Sequence, residues 1–266
     1  MGDKGLLGEL EDHPYGGAEF NKEWHYLQML HQHLTACLWW CAGNFSRDSE
    51  NSPNNFAVYL LDDIGEACLA VECLASEGLH NACRRELRYL LEVGLKACFV
   101  VENNTNLTPM EQVTKFRRLL ESPRINPINT LELHYFEEKI RIKFLSEFKR
   151  LYGELSKYAH LSSDQIMNQR ELHQREVWRG QLDAGQQAEL NSIAERCYAL
   201  TLSFYLHSLP QWVAGDLMAA SFMSNGDWHY LKSKFIAAID STFDYKHERQ
   251  AELRQLVNLR AERIAF

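Results

Sequence analysis

Apolar side chains recur along this chain at every third or fourth position in long runs, and no stretch alternates with the period of two that a half-buried strand requires. The pattern predicts an all-α protein: an antiparallel multi-helix bundle with an additional C-terminal helical region. Tyr26, Leu27, Leu30, Leu34, Cys37, Leu38 and Cys41 form one stripe, so a first helix is expected from Ala18 to Asn44. Pro53 suits the first turn of a second helix over 53–76, whose inward face carries Phe56, Leu60, Ile64, Cys68 and Val71. Gly78 then leaves a connection short enough to make the third helix, over 79–101, an antiparallel neighbour.

Further along, Thr108 followed by Glu111 and Gln112 predicts a helix start and a fourth helix over 109–121. Pro123 and Pro127 interrupt regular structure, and a long helix is expected from Leu131 to His160. The more polar stretch after it predicts a short exposed helix before Gly180 and Gly185. Gln186 to Leu209 reads as another core helix that Pro210 ends, followed by helical segments over 212–223 and 228–245, with a turn at 224–227, and a charged tail helix to Ile264. The organisation expected is a flexible N-terminal arm over 1–17, a bundle core over 18–164, an exposed connector over 165–185 and C-terminal helices over 186–266 packed on the core.

Two of these helices combine an apolar face with polar groups. In the third, Leu87, Leu91, Leu95, Cys98 and Phe99 share a face that also holds Arg84 and Arg88, with Glu92 at its margin. In the long helix, Phe144, Phe148, Leu151, Leu155 and Ala159 form the apolar arc, while Tyr152, Ser156 and His160 follow its edge at spacings of four. Burying a guanidinium costs several kcal/mol unless it is paired. Both arginines are therefore expected to meet acceptors across a seam between the two helices, most simply Glu92, Tyr152 or Ser156.

Composition narrows the partners. With 266 residues, 45% of them hydrophobic, the chain can bury a substantial core. A formal charge of −8 gives no long-range attraction to nucleic acid, so DNA is not expected, although a local basic patch can still hold RNA phosphates. The seven cysteines are odd in number and lie in helical segments, no secretory leader opens the sequence, and no apolar run approaches the roughly 20 residues of a membrane span. Free thiols, a cytoplasmic setting and no membrane partner are expected.

The sequence contains no phosphate-binding glycine loop, dinucleotide fingerprint, HExxH or paired CxxC. No cofactor is expected, and no metal either. Cys37 and Cys41 lie one turn apart near His31 and His33, but the two histidines point to different sides of a helix, so packing is the better account. Tyr152, Ser156 and His160 are better placed for chemistry. An imidazole can take a proton from a hydroxyl while a guanidinium opposite it holds a phosphate's developing charge, which suffices to cleave RNA without a metal. Equally, His160 can satisfy a carbonyl near the helix end while Arg88 pairs with Glu92 to keep two helices in register.

The segments GLHNACRRELRYLLEVGLKACF and LYGELSKYAHLSS, with their Arg-x-Leu-Leu-Glu helix (Arg88 to Glu92) and Tyr-x-x-Leu-Ser-x-x-x-His helix (Tyr152 to His160), resemble the paired helices of all-helical bacterial proteins of the HEPN superfamily. That resemblance, over about a third of the chain, implies a helical bundle, commonly a homodimer. Many members are metal-independent endoribonucleases of toxin or phage-defence systems. It points to His160 as a catalytic residue. The superfamily's nuclease signature has an arginine five to seven positions before the histidine, where this chain has Gly153, Glu154 and Leu155. Either Arg84 or Arg88 of the neighbouring helix substitutes, or the chain is not a nuclease. A noncatalytic module that binds a partner protein or its own copy, and a nucleotide-sensing helical protein, are the other readings.

Overall fold

The computed structural model describes residues 10–45, 47, 56–103, 107–121, 126–159, 162–176, 178, 180–220 and 228–266, and no strand occurs among them. The protein is all-α. Helix α1 (Ala18–Phe45) packs against α2 (Leu61–Ser76), which a 3₁₀ turn (Phe56–Leu60) precedes, and α2 packs antiparallel to α3 (His80–Asn103). The expected start of the second helix at Pro53 lies outside the described residues. Helix α4 (Pro109–Leu120) begins in a capping box in which Thr108 Oγ1 accepts from the Glu111 N–H and the Glu111 carboxylate accepts from the Thr108 N–H at 2.9 Å.

The long helix starts seven residues later than its apolar pattern suggests, and α5 spans Glu138–Ala159. Before it, residues 126–130 form a 3₁₀ turn and Leu133 adopts a left-handed φ of 51°, while the Glu102 carboxylate accepts from the backbone N–H groups of Glu132 and Leu133 at 3.0 and 2.8 Å. A right-handed helix cannot run through a residue in the left-handed region, so leucine spacing alone misplaces the boundary. Helix α6 (Ser163–Gln174) follows, and none of its described side chains is buried.

Helix α7 (Ala184–His207) runs through the middle of the molecule with α1, α3 and α5 around it, which is why its buried positions lie on every side rather than in one stripe. Its crossing with α3 is close because Gly94 has no side chain: a Cβ there would meet the Phe204 ring at 3.3 Å. The C-terminal part comprises α8 (Gln211–Ala219), a 3₁₀ turn (His229–Lys232), α9 (Lys234–Ser241), a single turn α10 (His247–Gln250) and α11 (Leu253–Arg263). The expected turn at 224–227 lies outside the described residues. One continuous hydrophobic cluster, from Phe20 on α1 to Phe243 after α9, joins the segments 18–164 and 186–266. Residues 10–17 fold against the start of α1, where His13 meets Phe20 and Trp24 edge-on at 5.6 Å and its N–H donates to Asn21 Oδ1. No described helix is long and apolar enough to cross a membrane.

Candidate functional site

The apolar stripes of α3 and α5 face each other, and the polar residues at their margins meet at the seam. Arg88 Nη2 donates to Tyr152 Oη at 2.8 Å and Arg88 Nε to Ser156 Oγ at 3.2 Å, while the guanidinium carbon lies 4.9 Å from the centre of the Tyr152 ring. Tyr152 Oη donates in turn to Glu92 at 3.3 Å, and Ser156 Oγ donates to the Tyr152 carbonyl at 2.6 Å. Glu92, one turn after Arg88, also pairs with the fully buried Lys96 ammonium and lies 3.8 Å from Arg88. Arg88, Glu92, Tyr152 and Ser156 are thus brought together, with Lys96 added, a residue that the sequence pattern alone does not single out.

Electrostatics keep the phenol neutral. Burial pushes the Tyr152 hydroxyl up, the Glu92 charge adds to that, and the Arg88 guanidinium opposes both. A neutral Tyr152 can accept from Arg88 and donate to Glu92 at once, which makes the row from guanidinium to carboxylate continuous. Two of the three Arg88 nitrogens are held this way. The third, Nη1, makes no hydrogen bond to a described residue, and the side chain keeps 23% of its surface exposed.

Arg84 takes other partners. It donates to Asn81 at 3.1 Å and to Glu189 of α7 at 2.9 Å, and its guanidinium lies 4.7 Å from the centre of the Tyr158 ring on α5. The expected acceptors Glu92, Tyr152 and Ser156 are therefore not the ones it uses. One turn earlier on α3 than Arg88, it sits where the first turns of α7 pass, and it is only 2% exposed. Its Nε is buried without an acceptor among the described residues. His160 lies outside the described residues; α5 is described to Ala159, directly after the Tyr158 that covers Arg84.

The histidines and cysteines of α1 have separate roles. His31 pairs with Glu72 of α2, and His33 Nδ1 accepts the His229 N–H at 2.8 Å. Cys37 and Cys41 are fully buried, and burial pushes the Cys37 thiol well up, with Cys41 adding to it. Among the described residues no group of three or more His, Cys, Asp or Glu side chains is placed to hold a metal ion. All seven cysteines are free and all but Cys73 are buried.

Two polar clusters fall outside the sequence reading. Tyr26 Oη donates to Glu195 at 2.7 Å, and the same carboxylate oxygen lies 2.5 Å from His229 Nε2. Burial pushes the Glu195 carboxyl up, but these hydrogen bonds outweigh it and hold the group below its ordinary range. In the C-terminal region Asp240 and Asp244 bind Arg249 and Arg260 in a four-membered ion cluster with contacts of 2.7 to 3.5 Å. The Asp240 and Asp244 spacing of four was the signal available for the second. The first joins residues too far apart in sequence to leave any. No protein-family model, curated protein or solved structure matches this chain.

Proposed function

We propose that the α3–α5 seam serves metal-independent cleavage of RNA, as in the HEPN-type ribonucleases that the sequence resembles, with Arg88 holding a phosphate and His160 acting as general base. One observation carries the reading: Arg88 is clamped through Nε and Nη2 by Ser156 and Tyr152, while its third nitrogen has no partner among the described residues. A guanidinium fixed in this way presents a pre-oriented donor to a phosphate oxygen without rearranging. In the reaction, the ribose 2′-hydroxyl gives its proton to the imidazole, O2′ bonds to phosphorus, and the 5′-oxygen leaves with a returned proton, producing a 2′,3′-cyclic phosphate. Arg84, buried and bound to Glu189, positions the seam rather than touching substrate. The free, largely buried thiols support a cytoplasmic setting, and a homodimer and a toxin or defence role accompany the same resemblance.

Incubating the purified protein with mixed RNA in a metal chelator tests this. Cyclic-phosphate ends are expected, with the rate falling about 100-fold or more in His160→Ala and substantially in Arg88→Lys, which keeps the charge but loses the fork. Absence of turnover, or turnover indifferent to His160→Ala, rejects the assignment. A second reading, a noncatalytic helical module, draws on the closure of the row Arg88, Tyr152, Glu92 and Lys96 within the protein. It expects no RNA cleavage and a loss of thermal stability in Arg88→Lys.

A further inference from the structure

Helix α11 carries several apolar side chains but none is fully buried, Leu253 and Leu256 being half-buried. It carries Leu253, Leu256, Val257 and Leu259, yet none of its residues is buried, and Leu259 keeps 40% of its surface exposed. Polar contacts hold it to the body instead. Arg260 donates to Asp240 at 2.8 Å and to Asp244 at 3.0 and 2.8 Å, and just beyond the helix the Ala265 N–H donates to the Lys232 carbonyl at 2.8 Å. The helix is therefore pinned near its C-terminal end while its leucines stand over a cavity of about 210 Å³.

The walls of that cavity have a definite chemistry. Met218 and Ala219 from α8, Leu231 from the 3₁₀ turn, and Leu256 and Leu259 from α11 supply apolar surface. Three arginines also reach it, and two are already used. Arg249 is bound to Asp240 at 2.8 Å and to the Asp240 carbonyl at 3.1 Å, and Arg260 is bound to Asp240 and Asp244. Arg263 lines the cavity with no ion pair or hydrogen bond from its side chain to a described residue. Glu252, the remaining acidic lining residue besides the bound Asp240, stands at the opposite end of α11, about 16 Å away along a helix of eleven residues. The lining therefore joins an apolar wall to three guanidinium groups and two carboxylates, and Asp240 is shared by Arg249 and Arg260.

We propose that this cavity binds a small carboxylate with an unbranched apolar tail, its head paired with Arg263 and its tail laid against Met218, Leu231, Leu256 and Leu259. Attraction at Arg263, whose guanidinium has no partner among the described residues, fixes where the carboxylate sits. Size fixes its length: an apolar cavity of about 150 Å³ holds benzene, so this volume suits roughly eight to ten non-hydrogen atoms. Filling it gives the leucines of α11 the apolar contact they lack, so the ligand fastens the helix to the body. The site is separate from the α3–α5 seam and does not depend on the reading given to that seam.

Calorimetric titration of the full chain with octanoate, 1-octanol and octylammonium tests the proposal. Octanoate is expected to bind saturably at one site, at least tenfold more tightly than the alcohol, with the ammonium weakest. Amide exchange over 253–263 is expected to slow when octanoate is bound. Arg263→Gln is expected to erase the preference for octanoate over the alcohol while leaving circular dichroism and the melting temperature unchanged, and Leu256→Trp to block all three by filling the space. Equal binding of octanoate and octanol, absence of saturable binding, or a preference that survives Arg263→Gln would each overturn it.

Discussion

A neutral imidazole is built into the backbone at His207. Its Nδ1 lies 2.7 Å from the Ser203 carbonyl and must donate to it, while Nε2 accepts the Tyr135 N–H at 3.3 Å, so the tautomer is set by two fixed partners. Burial pushes the ring down to about 3, and the neighbouring His134 adds to the effect. His80 and His134 are lowered too, in each case by burial first. The sign follows from proton counting: below the unfolded value of about 6.5 the unfolded chain binds protons that the folded chain refuses, so stability rises with pH there. Stability is expected to be full above that value and to fall on acidification toward pH 4.5, before most carboxylates titrate. His207 alone contributes up to about 1.4 kcal/mol per pH unit. Urea midpoints across this range check it, and His207→Phe should flatten the slope; a slope unchanged by that substitution would assign the acid limb to other groups. His207 falls within the core helix that the sequence predicts over 186–209, but periodicity carries no information about which nitrogen holds the proton, because Tyr135 comes from a loop 72 residues away.

Between elements, Gly78 decides how α2 turns into α3. Its φ is +64°, and a Cβ there would stand 2.6 Å from the Gln181 carbonyl oxygen, a backbone atom that cannot swing aside. Gly78→Ala is expected to cost about 2 kcal/mol or more, combining the left-handed penalty with that clash. Gly153→Ala, in α5 with nothing within 4 Å of its Cβ, is expected to stabilise by about 1 kcal/mol through helix propensity. Urea unfolding of the pair measures both, and equal effects would contradict the account. The turn at Gly78 was legible, since a glycine between two periodic runs predicts a tight connection. The contact with Gln181, far along the chain, was not. The α3–α5 seam divides in the same way: spacing puts Arg88 on the apolar face of its helix and Glu92, Tyr152 and Ser156 at the edges, whereas the acceptor of Arg84 escapes it because Glu189 belongs to a third helix.

Across the whole molecule the core is one cluster shared by the segments before and after α6, with α7 at its centre. Thermal unfolding is accordingly expected to give a single transition in which near-UV and far-UV circular dichroism coincide; two separated transitions would mean that the segments hold together independently. Helices were determined by the sequence itself, because the i, i+3 and i+4 spacing that buries one side of a helix is local and needs no knowledge of its partner. So were the all-α class, the hairpin from α2 to α3 and the helix start at Thr108. Tertiary structure alone decided which remote polar groups meet, as with Arg84 and Glu189, Tyr26 and Glu195, and the Glu102 carboxylate with the Leu133 N–H ahead of α5. It also decided that α11 stands over a cavity instead of filling it. Those outcomes depend on distances between residues remote in the chain, which close packing of the helices sets and no local pattern encodes.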